Sequence, residues 1–100
     1  MSTTKILIVD DELILRESLA GWLLRDGHTV DTASSGEEAL EKLKEARFDI
    51  MLVDIKMEGI SGLDVLQHVK ENDPDVAIVM ITAYGSERNN KFQAPNYLPC

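Results

Sequence analysis

Three short apolar runs, each closing on polar residues, restrict the fold of this 100-residue chain more than any other feature. Lys5-Ile6-Leu7-Ile8-Val9 ends in Asp10-Asp11-Glu12, and Phe48-Asp49-Ile50-Met51-Leu52-Val53 ends in Asp54. Val76-Ala77-Ile78-Val79-Met80-Ile81 ends in Thr82-Ala83. Short aliphatic runs bounded by turn signals read as buried strands. Between them the period changes. Leu15, Leu19, Trp22, Leu23 and Asp26 recur at helical spacing, with Arg16, Glu17 and Arg25 between them, and Gly27 stops that helix. His28-Thr29-Val30-Asp31-Thr32-Ala33 alternates like a half-buried strand at a sheet edge. Ser35-Gly36-Glu37-Glu38 reads as a capping box, with Ser35 bonding forward and Glu38 reaching back, and opens a helix through Ala39, Leu40 and Leu43. Leu63, Leu66 and Val69 form the stripe of a third helix, which Asp73-Pro74-Asp75 ends because proline cannot continue it.

Alternating strand and helix patterns build βαβ units, so the chain is expected to be an α/β domain around a parallel sheet. In an open parallel sheet, ligands collect in the crevice outside the carboxyl ends of the strands. The three strand ends should therefore converge on one small acidic pocket. The loop Ile55-Lys56-Met57-Glu58-Gly59-Ile60-Ser61-Gly62 should lie beside it, its two glycines permitting positive φ and close backbone approach.

Composition limits what that pocket serves. With 44% apolar and 28% charged residues the chain reads as one globular domain, and no apolar run approaches the roughly 18 residues a membrane span requires. The amino terminus lacks the order of a secretory signal, which makes a cytoplasmic location the expectation. The net charge is −8, and all 18 acids precede residue 88. Such an acidic body argues against direct nucleic-acid binding and for a cation partner. The one cysteine, Cys100, permits neither an internal disulfide nor a thiol metal cluster. His28 and His68 stand apart without paired acids, Trp22 and the methionines read as core filling, and Tyr84 stands two residues beyond Thr82.

Paired acids after a strand are often helix caps, and Asp11 alone would fit that description. Three acids arriving from two strands, with a threonine from a third, fit it less well. Clustered carboxylates repel unless a cation or proton resolves them. A hard divalent cation with oxygen ligands suits the set, and Mg²⁺ suits it best because it keeps several waters and needs few carboxylates. An aspartate beside Mg²⁺ can attack phosphorus to form an acyl phosphate, with Thr82 bonding the new phosphoryl group.

Val9-Asp10-Asp11-Glu12, Val53-Asp54-Ile55-Lys56-Met57, Gly62 and Ile81-Thr82-Ala83 resemble, in this order and spacing, the receiver domain of two-component response regulators, most closely those of nitrogen-regulation activators. The likeness spans residues 5 to about 87. It implies a flavodoxin-like, doubly wound parallel sheet with Asp54 as phosphoacceptor. It also implies Asp11 as a direct Mg²⁺ ligand, Asp10 as a ligand through water, the Lys56 backbone carbonyl as a further ligand, and Thr82 as switch hydroxyl. The implied partner is a sensor histidine kinase. The chain departs from the family at Glu58, where proline is usual, and again after Glu87. A fourth helix could begin at Gly85-Ser86-Glu87, but no later strand or helix is matched in 88–100. Lys91 lies too close to Thr82 to be the family's fifth-strand lysine, and Tyr97-Leu98-Pro99 comes too early for the fifth strand. The reading is a receiver over residues 1–87 with an atypical tail, its sheet incomplete at the carboxyl end and inclined to homo-oligomerise along the open edge. The alternative is a pseudo-receiver that binds partners without switching. A phosphatase with an aspartate nucleophile ranks last, because Lys56 stands where its second acid belongs.

Overall fold

The structure, a computed structural model, describes residues 4–57 and 59–81. Its elements run β1 (Lys5–Val9), α1 (Leu13–Arg25), β2 (Thr29–Ala33), α2 (Gly36–Glu45), β3 (Ile50–Asp54), α3 (Gly62–Asn72) and β4 (Ala77–Ile81). All strand pairs are parallel and the order is β2-β1-β3-β4. The chain therefore leaves β1 towards one side for β2 and crosses to the other for β3, which is the doubly wound arrangement. The expected fourth helix, at Gly85, and residues 88–100 lie outside the described residues.

Strand alternation divides the core into two layers. Leu7 and Val9 of β1, with Met51 and Val53 of β3, face α2 and α3 and join Ala33, Ala39, Phe48, Val65 and Val69 in one buried cluster. Ile6 and Ile8 point to the opposite face, where they too are buried and where α1 packs on β1 and β2.

Helix ends follow local chemistry. Gly27, at φ 94°, closes α1 with the paired bonds Gly27 N–H to Leu24 O and His28 N–H to Leu23 O, a left-handed turn that suits glycine. Ser35 accepts the Glu38 N–H at 3.0 Å as expected, but the return bond differs. The Glu38 carboxylate reaches the backbone N–H and hydroxyl of Ser34, at 2.8 and 2.9 Å, rather than the Ser35 amide. The box closes one residue early.

Two expected core positions prove wrong. Trp22 is 63% exposed, because α1 turns Leu15, Leu19 and Leu23 inward to a half-buried seam and leaves Trp22 on its flank. In α3 the inward residues are Gly62, Val65 and Val69, while Leu63 is 58% exposed. That helix starts at Gly62, and its contact with α2 selects the face one residue round from Leu63.

At the outer edge of β2, Lys42 Nζ bonds the Asp31 carboxylate at 2.9 Å and the Thr32 carbonyl, while Asp31 accepts the Thr32 N–H at 2.8 Å. Both outward backbone groups of Thr32 are thereby paired, and the ion pair blocks this edge at that residue.

Candidate functional site

Register builds the site. Val9 pairs with Val53, so the next residue of each chain segment, Asp10 and Asp54, stand side by side at the carboxyl edge of the sheet. This is the switch point between β1 and β3, where a crevice is expected. Asp11 follows on the β1–α1 turn. One carboxylate oxygen from each of Asp10, Asp11 and Asp54 lies within 4.8 Å of the others.

The three acids differ in burial. Asp10 is fully buried, Asp54 is nearly so, and Asp11 is exposed. Asp10 Oδ1 accepts the Glu12 N–H at 2.8 Å, whereas Oδ2 is buried and accepts no hydrogen bond. A buried polar atom without a partner costs about 1–3 kcal/mol, and more when charged. The Lys56 N–H donates to Asp54 Oδ1 at 3.1 Å. Burial pushes the Asp54 carboxyl up from 3.8 and the Lys56 amide pulls it down. The charges of Asp10, Asp11 and Glu12 push it up further, and the net shift is upward. A cation among these oxygens would relieve both the orphaned Oδ2 and the mutual repulsion, and hard oxygen donors fit Mg²⁺.

The capping account of Asp11 fails. Glu12 is the N-cap of α1 and no side chain caps the helix. Asp11 instead lines an open cavity of about 380 Å³ with Ile55, Lys56, Met57 and Ser61. Ser61 opens α3 by accepting the Asp64 N–H at 3.2 Å, and Gly59 takes φ 76° in the loop before it.

Asp10, Asp11 and Asp54 thus meet, and Lys56 enters through its amide on Asp54. Thr82 and Tyr84 lie outside the described residues. Among the described residues the acid triad is the one cluster of three or more potential metal-binding side chains, so neither His28 nor His68 joins a second centre. Sequence reasoning missed Arg16, noted there only as a polar position between apolar ones. Its Nη1 donates to the Asp10 carbonyl at 2.7 Å. Its one sequence signal is its place on the helix that begins two residues after the acid pair.

A family model for the response regulator receiver domain matches residues 6–95. The transcriptional regulatory protein ResD of Bacillus subtilis is 41% identical over 86 residues, which is 86% of this chain and 35% of ResD. The chain thus spans about a third of that relative's length. The response regulator protein TrrA of Thermotoga maritima, solved in complex with Mg²⁺–BeF, superposes with a TM-score of 0.79 at 42% identity, over 86% of this chain and 75% of TrrA. In the complex of histidine kinase ThkA with TrrA the TM-score is 0.78 at 40% identity, over 89% and 77% of the two chains.

Proposed function

We propose, from the premise that the chain belongs to the family of response regulator receiver domains, that it takes a phosphoryl group from a histidine kinase onto Asp54. The observation that carries this reading is the meeting of Asp10, Asp11 and Asp54 at the switch point, with Asp10 Oδ2 buried and unpartnered. Asp10, Asp11 and Asp54, with the Lys56 backbone carbonyl, would hold Mg²⁺. Mg²⁺ supplies, when bound, neutralisation of the charge on the phosphoryl oxygens.

The chain's own residues do the rest. An Asp54 carboxylate oxygen attacks phosphorus, forming an O–P bond as the donor's N–P bond breaks and its electron pair leaves with the imidazole. The Lys56 N–H holds Oδ1 and so fixes the rotation of the attacking carboxylate. Thr82 is assigned the hydroxyl that bonds the transferred group. The domain is a signalling element rather than an enzyme with a separate substrate.

A kinase partner is supported by the ThkA complex of TrrA, and Mg²⁺ by the Mg²⁺–BeF complex of the same protein. Among the described residues no helix is long and apolar enough to cross a membrane, and we assign the cytoplasm as the site of action. We assign the receiver to residues 1–87, treat 88–100 as an atypical tail, and expect self-association along the sheet edge. Labelling with a small phosphodonor and Mg²⁺, read by intact mass, tests the function. One phosphoryl group, lost in Asp54→Ala and released by hydroxylamine, is expected. Labelling that survives Asp54→Ala would move the acceptor elsewhere, and none in the wild-type chain would favour the pseudo-receiver.

A further inference from the structure

Asp10 is held by more than its place in the sheet. Its N–H donates to the Ala33 carbonyl at 3.1 Å, its Oδ1 accepts the Glu12 N–H at 2.8 Å, and its carbonyl accepts Arg16 Nη1 at 2.7 Å. Arg16 also donates its own backbone N–H to the Glu12 carbonyl at 3.0 Å. The guanidinium therefore ties the first turn of α1 back to the end of β1, while the Arg16 N–H makes the ordinary first helical bond to the N-cap carbonyl. No side chain caps α1, and the two bonds that Asp10 receives from beyond it, from the Glu12 N–H and from Arg16 Nη1, span the turn. They also occupy every acceptor of Asp10 except the buried Oδ2.

We infer that Arg16 is a positioning residue for the acid triad, acting through Asp10 to hold the turn that keeps its carboxylate beside those of Asp11 and Asp54. The inference rests on the Mg²⁺ site proposed above. The guanidinium suits the task because its planar fork sets direction as well as charge. A flexible ammonium supplies charge without that direction.

The sign of the effect separates this role from simple electrostatics. Arg16 is a cation near three acids, so by Coulomb's law its removal should tighten the binding of another cation severalfold. Loss of a group that orients a ligand does the reverse, weakening metal affinity about 10–100-fold. Positioning and charge therefore predict opposite outcomes.

The test is an Mg²⁺ titration of the full chain, followed by amide chemical shifts of Asp10, Asp11 and Asp54. Thermal midpoints without Mg²⁺ are recorded alongside. Arg16→Met is expected to bind about tenfold more weakly than wild type while its folded spectrum persists. A purely structural role would lower the midpoint and leave the affinity of the folded molecules unchanged. Equal or tighter binding in Arg16→Met overturns the inference. Should that variant fail to fold, Arg16→Lys decides, since it keeps the charge without the fork: weaker binding than wild type supports the role and equal binding overturns it. A wild-type chain that does not saturate with Mg²⁺ would instead overturn the metal site itself.

Discussion

Gly62 packs against the backbone of Asp54 so closely that no side chain fits between them. A Cβ built on Gly62 would overlap the Asp54 carbonyl oxygen, stand 2.9 Å from Ile55 Cα and lie 3.1 Å from the Asp54 carbonyl carbon. The Gly62 N–H donates to the Ile55 carbonyl at 3.2 Å, so the first turn of α3 is fastened to the end of β3.

Because the obstacle is backbone rather than a movable side chain, Gly62→Ala should displace either α3 or the end of β3. Overpacking of this kind costs about 1–3 kcal/mol. Urea unfolding should show a loss of that order, and phosphodonor labelling of Asp54 should fall with it. Unchanged stability and labelling would mean that the loop yields without cost.

Mg²⁺ should raise the thermal midpoint of the wild-type chain. A ligand that binds only the folded state at about 100 times its Kd adds about 2.7 kcal/mol. Asp11→Asn should lose most of this gain, since Asp11 is the exposed acid of the three and the one assigned direct contact. Equal Mg²⁺ affinity in Asp11→Asn and wild type would remove Asp11 from the site.

Neutralising Asp54 should stabilise the metal-free fold. Asp54 is buried beside Asp10 and Asp11, and its pKa is raised first by burial and then, against the Lys56 amide, by these neighbouring charges. At neutral pH the ionised form is the strained one. Asp54→Asn should therefore unfold at higher urea than wild type without Mg²⁺, and the difference should shrink as Mg²⁺ is added. A less stable Asp54→Asn chain would show that its carboxylate is already compensated.

The meeting of Asp10, Asp11 and Asp54 was legible in the sequence because strand ends are. A run such as Ile50–Val53 shows its period and its end, and parallel pairing then sets Asp10 next to Asp54 without further information. What lay beyond reach was rotation and through-space contact. Whether Trp22 or Leu23 faces the sheet depends on how α1 settles on β1 and β2, and both satisfy the same helical spacing. Leu63 failed for the same reason, since Val65 and Val69 offer an equally good stripe. The return bond of Glu38 to Ser34 depends on the path of the turn, which residue types do not encode. Arg16 reaches Asp10 through space from the first turn of α1, and no spacing rule marks that contact.

The ion pair on the β2 edge gives stability a pH dependence apart from the acid pocket. Burial raises the Asp31 pKa, but the Lys42 hydrogen bond and the Thr32 N–H outweigh it and leave it below 3.8. A carboxylate depressed in the folded state adds stability above its unfolded pKa and loses it as pH falls through the folded value. Asp31 and Lys42 are 48% and 28% exposed, so screening holds the contribution below about 1 kcal/mol. Wild type should exceed Asp31→Asn in urea stability at pH 6, and the difference should fade below about pH 4. A difference that persists in strong acid would assign the effect to packing.

The two sheet edges differ, which gives self-association a direction. On β2 the Asp31–Lys42 pair occupies the outward groups of Thr32, whereas β4 is the other outer strand of the described sheet. Ala77 N–H and Ile81 O bond towards β3, so by alternation the peptide groups of Ile78 and Met80 face outward. Val79, on the α1 face of the sheet, is 47% exposed. An outer strand with apolar side chains is a template for another chain, so the protein should be a dimer or larger at working concentration, joined through β4. Light scattering over a dilution series should show a mass that falls on dilution, and Val79→Lys should shift the mass towards monomer at every concentration. Lys42→Met should add a second mode of association by reopening the β2 edge. A monomer across the whole series, with well-dispersed amide signals, would show that β4 is already covered within the chain.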